Sequence, residues 1–160
     1  MSKRLILTFC ALAGAACAGS LQDYGTSGEW AIKVDPGNGS GCLMERSFES
    51  GTLVQVGIVP DAAGAFFAAY NETWTHIVEG DTGNLLFDFG DTRFQGEVVG
   101  AMYDGVPGGY AFFNNPEFVS EFGKRLSVTL HGADGGTEKV DLTGSKRAIE
   151  AVKECQDARK

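Results

Sequence analysis

His76 and His131 are the only two histidines of the chain. A histidine beside a serine and an aspartate can act as general base for nucleophilic attack. Serine and aspartate are abundant, but no nucleophile elbow is present: around Ser40 the run is Asn38-Gly39-Ser40-Gly41, without glycine two residues before the serine. His131 alternates away from Leu130, and His76 sits near Trp74, so both are expected to face outward. Two scattered histidines are too few ligands for zinc. Asp81-Thr82-Gly83 matches the core triplet of aspartic proteases, yet Glu79-Gly80 stands where an apolar strand belongs and no second copy occurs. It reads instead as an aspartate-initiated hairpin turn. Asp81, Asp88, Asp91 and Asp104 offer oxygens for calcium but lack the alternate-position spacing of an EF-hand, so they read as solvated turn residues. No metal and no cofactor is expected.

The remaining chemistry is binding and cross-linking. Tyr103, Tyr110, Phe112 and Phe113 cluster around the Gly105–Gly109 loop. Exposed, they would form a ligand or partner patch; buried, they would be ordinary core. Of four cysteines, Cys10 and Cys17 fall within a stretch that reads as a secretory signal. Lys3-Arg4 supplies its positive end, Leu5 to Ala16 its apolar run, and Ala16-Cys17-Ala18 its small-x-small cleavage pattern. Acylation at Cys17 is the lesser alternative, because Gly14 occupies the position where a lipobox carries a leucine-like residue. Cleavage near Ala18 leaves Cys42 and Cys155 as an even pair in an oxidising compartment. That setting favours a bridge over two buried thiols. The chain-entropy model gives a loop of this length about 4.7 kcal/mol.

The elements that must position these groups are mainly strands. Residues 19–29 read as a flexible leader and 30–160 as one domain. Trp30 to Val34 alternates apolar and polar and stops at Asp35-Pro36-Gly37-Asn38-Gly39. Cys42 to Phe48 and Thr52 to Val59 read as a hairpin. Residues 61–69 fit no clear period. Trp74 to Val78 and Leu85 to Phe89 flank a turn signal at Glu79 to Asn84. Phe94 to Ala101 and Tyr110 to Phe113 are two further strands. Pro116 permits a short helix with Phe118, Val119 and Phe122 on one face. Leu126, Val128 and Leu130 then pair with Val140 and Leu142 across Asp134-Gly135-Gly136. Ser145 reads as the N-cap of a C-terminal helix whose inner face carries Ile149, Val152 and Cys155. The expected architecture is a β-sandwich or flattened barrel of about eight strands, with a short internal helix and a C-terminal helix.

The chain carries a formal charge of −8; losing Lys3 and Arg4 with the signal takes two positive charges away and leaves −10. Such a field repels nucleic acid and favours a cationic partner or simple solubility as a monomer. No second apolar stretch approaches the roughly 18 residues that span a bilayer.

Several stretches together carry a family resemblance: Trp30 ahead of Gly41-Cys42-Leu43-Met44-Glu45, then Phe48-Glu49-Ser50-Gly51-Thr52-Leu53, Trp74-Thr75-His76-Ile77-Val78-Glu79-Gly80, and Leu142-Thr143-Gly144-Ser145 before Ala148, Ile149, Val152 and Cys155. This layout resembles small exported proteins of Gram-negative, especially alphaproteobacterial, genomes, and is distantly similar to the invasion-associated locus B family. The resemblance implies a periplasmic or secreted β-sandwich-like domain with its C-terminal helix tied down by the late cysteine. For the locus B proteins it implies an envelope or host-cell-surface role. The chain lacks their richer cysteine pattern, and no catalytic residue carries over. The function expected is a non-enzymatic binding or accessory module of the envelope. An inhibitor of a cationic secreted hydrolase such as lysozyme, using loops around Asp81 or Asp104, comes second. A hydrolase using His76 or His131 comes third.

Overall fold

Alternation decides the first strands. Trp30, Ile32 and Val34 are buried while Ala31, Lys33 and Asp35 are partly open, so one face of Trp30–Asp35 must be covered. The computed structural model describes residues 20–115 and 117–159. The stretch that reads as a secretory signal, with Cys10 and Cys17, lies outside the described residues, as does Pro116. In chain order the elements are β1 (Gln22–Ser27), β2 (Trp30–Asp35), β3 (Gly41–Ser47), β4 (Leu53–Val59), β5 (Gly64–Tyr70), β6 (Thr82–Asp88), β7 (Arg93–Tyr103), β8 (Val106–Phe113), α1 (Glu117–Lys124), β9 (Ser127–Gly132), β10 (Thr137–Asp141) and α2 (Ser145–Asp157). The ten strands form one antiparallel sheet in the order β1-β2-β3-β4-β5-β8-β7-β6-β9-β10.

The sheet is mainly β and not closed into a barrel, in keeping with the expected sandwich or flattened barrel but with ten strands rather than about eight. It curls until its two halves meet through side chains. Glu138 on β10 accepts from Ser50 Oγ at 2.7 Å and Thr52 Oγ1 at 2.9 Å, both at the β3–β4 turn. Asn71 Nδ2 donates to Thr52 Oγ1 at 2.9 Å and joins the same network. Arg46 on β3 reaches Asp141, and Trp30 Nε1 donates to the Thr143 carbonyl at 3.2 Å. Across the remaining gap lies α2, held by the Cys42–Cys155 disulfide, whose Cα atoms are 6.1 Å apart. Gln156 Oε1 accepts from the Cys42 amide at 2.9 Å beside it.

One end of the enclosed space is filled by rings. Phe67 and Phe87 from the sheet meet Phe118 and Phe122 from α1, edge to face or stacked at centroid separations of 5.0 to 5.7 Å. Phe113 stacks on Phe118. Each ring buries upward of about 150 Å², so this cluster dominates the packing of that end.

Three sequence expectations are corrected, and one stretch without a clear period takes a definite form. Residues 22–27, read as leader, form β1; its polar composition hides it, because it is held by backbone pairing with β2 and stays largely exposed. Residues 61–69 resolve into a single helical turn at Pro60–Ala62 and then β5, whose Ala-rich stretch is covered on both faces. Trp74 to Val78 is not a strand. Asn71 Oδ1 accepts from the amide and hydroxyl of Thr73, and successive turns run from Asn71 to Asp81, so side-chain capping wins over extension. The hairpin therefore turns at residues 89–92, not at Glu79 to Asn84. Finally, Gly144 holds the N-cap of α2, in the left-handed region at φ 81°, and Ser145 instead donates its hydroxyl to the Phe122 carbonyl at 2.6 Å, tying α2 to α1.

Candidate functional site

Beyond the ring cluster the inner face of the sheet is not filled. Gly83, Gly100 and Gly109 project no side chains there, and a cavity of about 380 Å³ remains. Phe67, Ala69, Leu85, Val98 and Leu130 form its floor and walls. The 71–81 loop forms its roof with Trp74, Ile77 and Val78, and the β9–β10 turn forms the facing lip. Register explains the apolar lining: Gly83 pairs with Val98 and Leu85 with Gly96 on the inner face of β6 and β7.

The roof is held by backbone. Gly100 donates its amide to the Asp81 carbonyl at 2.7 Å and accepts from the Gly80 amide at 2.8 Å. A Cβ at position 100 would collide with the Val78 carbonyl, so only glycine lets the loop approach this closely. At the mouth His76 Nε2 lies 3.0 Å from Asp134 Oδ2, clasping roof to lip. Both side chains are more than half exposed. Asp134 also caps its own turn through the Gly136 amide at 3.0 Å. Glu138, already engaged by Ser50 and Thr52, lines the far side, and Asp81 stands at the junction of roof and β6.

The second candidate surface is the outer face, where Tyr110 pairs with Ala68 and Val99. Tyr110 and Phe112 are exposed, at 42% and 44%. Tyr103 is half-buried, tilted against Tyr70 at 5.2 Å, with its hydroxyl 3.4 Å from Glu45 Oε2. Glu45 also accepts from Lys33 Nζ at 2.8 Å and Gln55 Nε2 at 2.7 Å. Burial, then the neighbouring phenols Tyr103 and Tyr110, push the Tyr70 hydroxyl up to about 12; burial and the Glu45 carboxylate do the same for Tyr103. Phe113 leaves this group. Strand alternation turns it inward onto Phe118, so the four-residue patch read from the sequence splits across the sheet.

The other sequence candidates are dispersed. His131 lies on the outer face, 4.0 Å from Asp88, away from His76 at the cavity mouth. Asp88 caps Gly90 and pairs with Arg93, and the Gly90 amide, then Arg93, hold its carboxyl below the usual range. Asp91 is paired with Arg125 at 2.6 Å, which lowers it likewise. Asp104 sits exposed in the β7–β8 turn at φ 50°. Asp81 alone of the four lines the cavity. Among the described residues no group of three or more His, Cys, Asp or Glu is placed to hold a metal ion. The cavity itself was not legible beforehand: its signal is the run of inward glycines at 83, 100, 109 and 132, which reads locally as turn propensity.

Fold and site together define a class: an antiparallel, strongly curled single sheet that holds two helices at one end of its inner face and an open pocket at the other. The chain is similar to the crystal structure of invasion associated protein B from Bartonella henselae, with a TM-score of 0.57 and 13% sequence identity, over 87% of this chain and 99% of that one. At this identity the likeness is one of fold, and the distant resemblance expected from the sequence holds at that level. No family model and no curated protein sequence matches the chain. Among the described residues no helix is long and apolar enough to cross a membrane.

Proposed function

We propose that this protein is a non-enzymatic binding module of the cell envelope, periplasmic or secreted, whose site is the cavity beneath the 71–81 loop. The observation that carries the reading is the contrast within one interior. Rings pack the α1 end to contact, while the other end keeps about 380 Å³ open, within the range of small-molecule pockets. An apolar pocket of this size leaves its lining in contact with water when nothing else fills it. Retaining it, with a roof clamped by backbone to Gly100, fits a ligand better than a structural core. The Cys42–Cys155 bridge and the similarity in fold to a protein described as invasion associated support an exported, accessory setting.

The test uses Trp74, one of two tryptophans, which lines the cavity while Trp30 is fully buried elsewhere. Titration with octanol should change Trp74 emission saturably. Gly83→Leu should abolish the change: a Cβ there meets only Val98 at 3.7 Å, so the side chain enters the cavity without backbone collision. An emission change that survives in Gly83→Leu, or none in either protein, refutes the assignment. The reading as an inhibitor of a cationic hydrolase draws on the same acidic mouth, with Asp81 and Asp134 at its rim. It predicts salt-sensitive binding of a basic enzyme such as lysozyme, and calorimetry at low ionic strength without heat would remove it.

A further inference from the structure

The charge of the cavity lining is one-sided. Asp81, Asp134 and Glu138 contribute three carboxylates, His76 the one basic side chain, and neither lysine nor arginine is among the lining residues. The carboxylates are spread around the apolar volume rather than gathered at one point: Asp81 on the roof side, Asp134 on the lip, Glu138 at the back. Glu138 is already desolvated in part and spends Oε1 on the Ser50 and Thr52 hydroxyls, so its carboxylate is held in place. Trp74 adds an aromatic wall to the same space, a surface that attracts cations. A fatty acid or another anionic amphiphile would bring its charge among like charges with no counterion. A cation with an apolar body meets the opposite sign at each of these three acidic residues.

Resting on the cavity being the binding site, we propose that its ligand class is a small cationic amphiphile. An alkyl or aryl body would lie between Phe67, Leu85, Val98 and Leu130, and an ammonium or guanidinium group would be received by one of the acidic side chains, Asp81 or Glu138, in a volume that Trp74 also lines. The rest of the surface contributes the same sign, since the chain carries −8 overall, so approach and retention favour the same ligand charge.

Three probes of equal chain length separate the parts of this proposal: octylamine, octanol and octanoate, followed by Trp74 emission at neutral pH. Octylamine should bind more tightly than octanol, and at least about tenfold more tightly than octanoate. The double variant Asp81→Asn with Glu138→Gln keeps an acceptor for Ser50 and Thr52, so it should fold, and it should shrink the octylamine preference towards parity. Gly83→Leu should abolish saturable binding of all three. Octanol binding with no preference for the amine overturns the ligand class while leaving the cavity as a site. No binding of any probe overturns both. An octylamine preference that is unchanged in the double variant, or that persists in Gly83→Leu, shows attraction to acidic surface and overturns the proposal.

Discussion

Gly100 and Gly83 serve the cavity in opposite ways. At Gly100 no side chain fits, because the Val78 carbonyl occupies the space a Cβ would take. Gly100→Val should therefore pry the 77–81 segment from β7 and break its two backbone hydrogen bonds. We expect a loss of about 1–3 kcal/mol, read from urea denaturation. Faster amide exchange at Gly80 should accompany it. At Gly83 the space is open, and a larger side chain should fill rather than strain. Glu138 is the third informative position. Glu138→Ala leaves the Ser50 and Thr52 hydroxyls without their shared acceptor where the sheet's halves meet. It should cost a further ~1–3 kcal/mol by the same measurement. None of these roles was legible in the sequence: each depends on what lies opposite in space. The inward ring of Phe113 was half legible, since strand alternation from Tyr110 and Phe112 predicts it, but proximity along the chain grouped all four aromatics.

Elements with strong periodicity follow their sequence closely. The buried sets Trp30, Ile32, Val34 and Phe118, Val119, Phe122 keep the faces their spacing predicts, as do Ile149, Val152 and Cys155 on α2. Elements stabilised by backbone pairing or by short-range capping do not. Strand β1 has no apolar alternation and exists through β2, while the stretch after Asn71 alternates like a strand but is turned by its own side-chain hydrogen bonds. The pairing of β5 with β8 and of β6 with β9 has no local signal at all. Only the link between the ends was announced early, by the cysteines. Joining residues 113 positions apart, the Cys42–Cys155 bridge should matter most at α2. Reduction should lower stability by about 2–5 kcal/mol, visible as a lower denaturation midpoint. Full stability after reduction would assign the docking of α2 to Ser145, Gln156 and its apolar face alone.

At the scale of the molecule, charge sets the pH response. Asp88, Asp91, Glu121 and Asp141 all titrate below their ordinary values, held down by backbone amides, hydroxyls and neighbouring Arg or Lys groups. The unfolded chain therefore binds more protons as pH drops below about 4, so the stability these groups contribute is present above that range and is lost as pH falls through their folded values. Tyr70 and Tyr103 act at the other end. Their hydroxyls, raised from 10.0 to about 12 in the folded protein, favour the fold below pH 10, and that contribution disappears as pH climbs through 12. Ultraviolet titration should show two phenols ionising late or together with unfolding. The same acidic surface surrounds an apolar cavity on the inside of the sheet and an aromatic strip, Tyr110 and Phe112, on the outside. We assign binding to the inside. Amide chemical-shift mapping of the labelled protein with octylamine decides between the two faces. The predicted result is saturable shifts at Trp74 to Asp81, Gly83 and Gly132 to Thr137, with the outer-face residues unmoved; shifts centred on Tyr110 and Phe112, with the roof and lip silent, would contradict it.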